Sequence, residues 1–114
     1  MNTADLIRGF DLYQATSIKT IAYPDDQKLW YPALGLGEAG EVQNKVKKIF
    51  RDDGGILTEA RAGAIMKEMG GNLWYLAALA HGMRKSLGQI AADNINELAG
   101  RVIRGTLKGD GDDR

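Results

Sequence analysis

Apolar residues recur with the period of an α-helix through most of this chain, and this periodicity restricts the fold more than any other sequence feature. It predicts helices over four segments, which are approximately residues 3–20, 27–51, 58–81 and 86–104. Thr3 is predicted to cap the first helix, and Asp52–Gly55 supplies the turn that ends the second. No segment alternates apolar and polar residues over the length of a β-strand. The sequence therefore predicts an all-α, four-helix bundle-like fold.

The size and the charge composition indicate one small domain. A chain of 114 residues can bury a single core. We assign residues 1–104 to that domain and residues 105–114 to a glycine- and charge-rich C-terminal tail. The 15 acidic and 15 basic residues balance, so no net field favours nucleic acid or a membrane surface as a partner.

Cysteine usage and the N-terminal sequence bear on location. The absence of cysteine excludes a disulfide framework and a thiolate zinc site. The N-terminal sequence MNTADLIRGFDLYQ has neither the basic start nor the unbroken apolar run of a signal peptide. No apolar segment is long enough to span a membrane. We therefore expect a cytoplasmic protein.

Two glutamates, Glu38 and Glu41, lie three residues apart in the second predicted helix, within LGLGEAGEVQNKVKKIFRD. A helical wheel places both on the border of the apolar face, together with Lys45 and Lys48. Two carboxylates in this position repel each other and are costly to desolvate, and a divalent cation removes both costs. The alternative is a solvated strip of ion pairs, because Glu41 and Lys45 have the spacing of a favourable i,i+4 pair.

A third acid, Glu68, occupies the same border of the third predicted helix, with Asn72 and Tyr75 beside it. We expect the two borders to meet, because bundles commonly build metal sites from side chains on facing helices. Three converging carboxylates form an oxygen-ligand site suited to Mg²⁺ or Mn²⁺. Tyr75 is placed either to stack on a nucleobase or to pack in the core, and Trp30 and Tyr31 leave the same two alternatives open.

The fourth predicted helix carries two polar residues, Asn94 and Arg101, in its apolar sector. Asn94 is either a buried structural amide or a ligand. Arg101 is suited to pair with a carboxylate or to bind a phosphate. With Lys45 and Lys48, it would surround the acids with cations. Acids for metal ions and bases for phosphate are the minimum set for metal-assisted phosphoanhydride chemistry.

Three segments of the chain resemble the MazG-like nucleoside triphosphate pyrophosphohydrolases, all-α enzymes related to dimeric dUTPases. The segments are LGLGEAGEVQNKVKKIFRD, EMGGNLWYLAALA and NINELAGRVIRGTLKGDGDDR. They are similar to the family's acid-x-x-acid helix, its ELGDxLWYLA-like helix and its asparagine-led helix with a glycine-rich end. The likeness covers roughly residues 23–114.

The resemblance implies an oligomeric all-α NTP pyrophosphatase fold and a Mg²⁺-dependent hydrolysis of (d)NTP to (d)NMP and pyrophosphate. It implies that Glu38, Glu41 and Glu68 are the catalytic, metal-binding acids and that Asn94, near the metal and the nucleotide, is a further metal-site residue. Lys45 and Lys48 match basic positions of the family, and we assign these two residues to phosphate binding. We add Asn72, Tyr75 and Arg101 as substrate-binding residues from their places on the helical wheels.

Two positions depart from the family pattern. The fourth acid of the ELGD-like motif is Gly71 here, which removes a metal ligand. The lysine usual three residues after the motif asparagine is Glu97, which reverses a charge near the phosphates. Asn72 or Asp93 is placed to compensate. These departures leave open a catalytically impaired nucleotide-binding or regulatory module of the same fold, and a purely structural helical oligomer is a third alternative.

The breadth of the apolar faces predicts self-association. Trp74 points away from the apolar face of its helix, where it is placed to pack at a subunit contact. We expect a homodimer or homotetramer, and the resemblance implies sites at or near the subunit contacts.

Overall fold

A computed structural model describes residues 2–112, and within that range the chain contains helices and no β-strand. Five α-helices are present: α1 (Thr3–Ser17), α2 (Trp30–Gly35), α3 (Ala39–Asp52), α4 (Glu59–Gly82) and α5 (Leu87–Arg104). Short 3-10 turns follow α1 and flank α2. The prediction of an all-α fold is confirmed. Four of the five helices are long, and the fifth, α2, has only six residues.

Local capping chemistry fixes the ends of the long helices. Thr58 and Ser86 cap α4 and α5 by accepting hydrogen bonds from the backbone nitrogens of Arg61 (3.1 Å) and Gln89 (2.9 Å). Gly105 ends α5 in the left-handed region at φ 72°. The predicted cap at Thr3 is wrong by one residue, since Asn2 accepts the hydrogen bond from the Ala4 nitrogen.

The prediction of one helix over residues 27–51 is wrong. That segment consists of a 3-10 turn, the short α2, a second 3-10 turn and then α3. Pro32 within α2 lacks the backbone donor that a longer preceding helix would need. Gly35, Gly37 and Gly40 further weaken helical continuity. Glu38 therefore precedes α3 as its N-cap residue, whereas Glu41 lies in its first turn.

The long helix α4 is the centre of the protomer, and α1, α2 and α3 all pack against it. α5 packs mainly on α1 and less on α4. Buried Gln14 of α1 holds this junction, because its side-chain amide donates to the carbonyl oxygens of Ala77 (3.2 Å) and Lys85 (3.0 Å). Its oxygen accepts from the Leu87 nitrogen at 3.1 Å. Asp11, one turn earlier, accepts from Ser86 Oγ and the Gly88 nitrogen.

The protomer is more open than a compact monomer of its size. Its radius of gyration is 16.9 Å, compared with about 13 Å for a compact chain of this length. Its accessible surface is 8089 Å², compared with about 6,100 Å² for a compact monomer of this mass. The apolar residues that are buried are mostly alanines: Ala77, Ala78, Ala80, Ala92, Ile49 and Leu87. Much of the apolar surface of the helices is therefore exposed in this structure.

The C-terminal tail returns to α5. Arg101 donates to the Asp112 carbonyl oxygen at 2.6 Å, and the Thr106 nitrogen donates to the Arg101 carbonyl at 2.9 Å. Three residues lie outside the described part of the chain: Met1 of the predicted domain, and Asp113 and Arg114 of the predicted tail. No helix in the described part of the chain is both long and apolar enough to cross a membrane.

Candidate functional site

Helices α3 and α4 form an antiparallel pair whose seam carries the predicted acidic residues. At one end, Glu38 lines a cavity with Tyr75. At the other end, Lys45 Nζ lies 3.7 Å from Glu68 Oε1. The numbering rises along α3 while it falls along α4, so Glu41 lies between these two contacts, on the level of Asn72. The structure thus brings the predicted edges of the two helices together.

The three glutamates form a strip along this seam and not a compact cage. Within residues 2–112, no group of three or more acidic or histidine side chains lies close enough to hold one metal ion. The Glu38 and Glu68 contacts are seven residues apart on each helix, which corresponds to about 10 Å of helix rise. Glu38 and Glu41 are exposed, and the Glu68 side chain is 30% exposed. The acids therefore lie on a shared open surface.

Gly71 leaves a space in the middle of the strip. Glu68 and Tyr75 lie two turns apart on one face of α4, and Gly71 and Asn72 occupy the turn between them. A Cβ atom built on Gly71 meets no other atom within 4 Å apart from its own helix backbone. Asn72 is half-buried and is the polar side chain of that turn. The site lacks a carboxylate at this level of α4, but it has room for one.

A cavity of about 350 Å³ adjoins the strip at Glu38. It lies between the α2 region and α4, and its lining is largely aromatic and aliphatic: Gln27, Trp30, Tyr31, Leu34, Gly35, Glu38 and Tyr75. A side chain at residue 35 would collide with the Tyr75 ring, so the glycine lets this ring lie against the α2 backbone. The cavity combines aromatic surfaces with one carboxylate, which are the features of a pocket for a flat polar ring.

Contacts within the protomer orient the aromatic residues around this cavity. Trp74 donates from Nε1 to Thr20 Oγ1 at 2.8 Å and meets the Tyr75 ring edge to face. Tyr23 stacks on Tyr31 with ring centroids 4.6 Å apart. Burial raises the pKa of the Tyr75 phenol, and the nearby charge of Glu38 raises it further. The predicted role of Trp74 at a subunit contact is not needed to explain its position, since Thr20, Tyr23 and Tyr75 surround it.

The structure does not bring the predicted residues of α5 to the acidic strip. Asn94 is exposed rather than buried, and α5 packs mainly on α1. The guanidinium of Arg101 bonds to Glu97 at 3.1 Å, and Glu97 also contacts Arg104. Glu97 therefore neutralises basic side chains of its own helix. Within one protomer, Asn94 and Arg101 are separate from the glutamate strip, while Lys45 and Lys48 lie along its α3 side.

Sequence reasoning did not assemble the aromatic cavity. The sequence leaves the roles of Trp30 and Tyr31 open, and the prediction of one helix over residues 27–51 does not include the close approach of Gly35 to Tyr75. The signal was the combination of Pro32 with three glycines just before and after Glu38. Such a combination interrupts a helix and allows a close approach to a neighbouring side chain.

The chain is 39% identical over 111 residues to the Gene 37 protein of Mycobacterium phage L5, and the match covers 91% of this chain and 97% of the relative. No protein-family model matches the chain. No solved structure matches it either.

Proposed function

The chain belongs to the same family as the Gene 37 protein of Mycobacterium phage L5, and we propose that it is a Mg²⁺-dependent nucleoside triphosphate pyrophosphohydrolase of the MazG-like type. The reaction is hydrolysis of a (d)NTP to a (d)NMP and pyrophosphate in the cytoplasm. The observation that carries the proposal is the α3–α4 seam, where an aromatic cavity adjoins a strip on which three glutamates and two lysines are interleaved.

The order of these groups along the seam suits a nucleoside triphosphate. The aromatic cavity at Tyr75 is suited to the base, because flat aromatic faces stack on it. The phosphates would then run along the seam from Glu38 towards Lys45 and Lys48, where ammonium groups attract them. The aromatic cavity beside Glu38 is a feature that a solvated strip of ion pairs would not need.

The donor set fits Mg²⁺ when the ion arrives with the nucleotide. Mg²⁺ usually keeps several waters and is held by one or two carboxylates together with substrate phosphates, so a closed protein cage is not required. One or two of Glu38, Glu41 and Glu68 would hold it together with the substrate phosphates, and Asn94 is a ligand only if a second protomer supplies it. When bound, the ion neutralises phosphate charge and polarises the phosphoanhydride.

The side chains of the seam have separate tasks in this proposal. Tyr75 and its neighbours bind and orient the base, which places the phosphates along the helices. Lys45 and Lys48 bind phosphate oxygens as point charges, and Asn72 is placed to bond to the substrate from the α4 side. A glutamate carboxylate on the strip accepts the proton of the attacking water. The bond that breaks joins the α- and β-phosphates.

The second candidate is a nucleotide-binding or regulatory module with little turnover. Gly71 favours it, because the seam lacks the fourth carboxylate of the resembled family at this level. Pyrophosphate release from a panel of canonical and modified (d)NTPs with Mg²⁺ or Mn²⁺ tests the enzyme. Nucleotides that raise the melting temperature but are not consumed would favour the module instead.

Gly71→Asp is expected to raise pyrophosphate release at least about tenfold, since an added carboxylate would help hold Mg²⁺ against the triphosphate. The open space around this position accommodates the new side chain. Gly70→Asp is the matched control, because it also meets no atom within 4 Å and adds the same charge to the same helix. Equal effects of the two substitutions would contradict a specific role for position 71.

We further propose that the protein is a homodimer or a dimer of dimers. Apolar residues of the faces predicted to form the core are exposed in one protomer: Val46, Phe50, Met69, Leu76, Ile95 and Val102. The surface in excess of a compact monomer is about 2,000 Å² per protomer. Burying it in a pair would give about 4,000 Å², which is within the range of obligate homodimers.

Sedimentation equilibrium is expected to give two or four times the protomer mass of 12.4 kDa at micromolar concentration. Met69→Lys is expected to shift the protein to monomers or to unfold it, because it places a charge in the buried contact. Leu12→Lys serves as the control, since Leu12 is also exposed but lies on α1. A wild-type monomer at these concentrations would contradict the proposal.

A further inference from the structure

The ion pair between Lys45 and Glu68 is the contact that joins the charged borders of α3 and α4. Both side chains are mostly covered, with exposed fractions of 24% for Lys45 and 30% for Glu68. Glu68 is at the same time a predicted metal ligand, and Lys45 is a predicted phosphate ligand. This ion pair therefore engages one proposed metal ligand and one proposed phosphate ligand with each other.

We infer that Lys45 is a built-in counterion that occupies Glu68 until nucleotide phosphates draw the lysine away. The inference rests on the proposed function. An ammonium group beside a carboxylate neutralises the charge that would otherwise attract a divalent cation. Metal alone must displace Lys45 to use Glu68, whereas a bound triphosphate offers Lys45 a stronger partner. The metal and nucleotide sites are thus coupled through one side chain.

Partial burial makes this competition effective. Exposed ion pairs are screened by water and contribute little, but the pair at the α3–α4 seam is about three-quarters covered on its lysine side. The lysine belongs to a strip that carries Glu41 one turn before it and Lys48 one turn after it. A phosphate chain lying on this strip would therefore contact Lys45 and Lys48 together.

Coupling of this kind is reciprocal. Metal and nucleotide therefore raise each other's affinity by the same factor. If Lys45 opposes metal binding at Glu68 in the free protein, removing its charge strengthens metal binding, whereas the loss of a phosphate-binding cation weakens nucleotide binding. Lys45 is thus a positioning residue whose loss has opposite effects on the two ligands. A purely structural ion pair predicts no such opposition, because breaking it would disturb both ligands in the same direction.

The test measures Mn²⁺ binding to the nucleotide-free protein from the electron paramagnetic resonance signal of free Mn²⁺. Lys45→Gln is expected to bind Mn²⁺ about three- to tenfold more tightly than the wild type, as expected for a partly buried pair. Lys47→Gln is the matched control, because Lys47 is exposed on α3 and lies about 200° around the helix from Lys45. It is expected to change Mn²⁺ binding little.

A double-mutant cycle assigns the effect to Glu68. In a Glu68→Gln background, Lys45→Gln is expected to leave Mn²⁺ affinity unchanged, because the carboxylate for which the two cations compete is gone. An equal gain in both backgrounds would overturn the inference, as would Mn²⁺ affinity in Lys45→Gln that is no tighter than in the wild type.

A second experiment measures the binding of a non-hydrolysable nucleoside triphosphate in the presence of a chelator. Lys45→Gln is expected to weaken its binding several-fold while Lys47→Gln does not. Failure of the analogue to bind any variant, both with the chelator and with Mg²⁺, would contradict the proposed function. Binding that is unaffected by Lys45→Gln would overturn only the coupling, so the two failures are distinguishable.

Discussion

Replacing Glu41 with glutamine is expected to lower pyrophosphate release at least about 100-fold. Glu41 lies between Glu38, which lines the cavity with Tyr75, and the Lys45–Glu68 ion pair, on the level of the open position at Gly71. Since α4 supplies no carboxylate at that level, Glu41 carries more of the metal and proton chemistry than it would in a site with four acids. Steady-state rates with Mg²⁺ and the best nucleotide measure the effect.

The substitution separates function from stability. Glu41 is exposed, and glutamine has nearly the same shape, so the melting temperature is expected to change little. Glu59→Gln is the control, because Glu59 is also exposed but begins α4 away from the seam. Equal activity of the Glu41→Gln and wild-type proteins would remove Glu41 from the site.

Replacing Gln14 with alanine is expected to lower the free energy of unfolding by about 3 kcal/mol, because it leaves three backbone groups without their partner. These groups are the carbonyl oxygens of Ala77 and Lys85 and the nitrogen of Leu87. They belong to the end of α4, the following turn and the start of α5. The Gln14 side chain therefore holds α1 against α4 and α5.

Chemical denaturation at a fixed protein concentration measures this loss, since association contributes to apparent stability. Gln43→Ala is the matched control, because Gln43 is exposed on α3 and its loss is expected to cost less than about 0.5 kcal/mol. A loss below about 1 kcal/mol for Gln14→Ala would show that water replaces the amide at this junction.

Local chemistry made the helix ends predictable from the sequence. Ser86 and Thr58 cap helices because a hydroxyl oxygen can accept from a backbone nitrogen at the open helix start, and both do so. The Asp52–Gly55 turn was predictable for a similar reason, since Gly54 and Gly55 adopt φ values of 63° and 80°. The meeting of the α3 and α4 borders followed from periodicity, and the Lys45–Glu68 contact agrees with it.

Features that depend on packing between distant segments were not predictable. The wheel for residues 27–51 assumed a straight helix and missed the break that forms the cavity against Tyr75. The role of Gln14 was missed because its partners lie more than 60 residues away in the chain. Asn94 shares an apolar sector on the wheel, yet it is exposed because that sector is not fully covered in one protomer.

Phosphorus-31 nuclear magnetic resonance tests the proposed reaction most directly, because it identifies the products formed from a nucleoside triphosphate. With Mg²⁺ and the wild-type protein, we expect a nucleoside monophosphate and pyrophosphate in equal amounts, with no nucleoside diphosphate intermediate. Formation of nucleoside diphosphate and inorganic phosphate would contradict the proposed reaction. Unchanged triphosphate across the whole nucleotide panel, in both the wild type and Gly71→Asp, would contradict the assignment of the α3–α4 seam as a catalytic site.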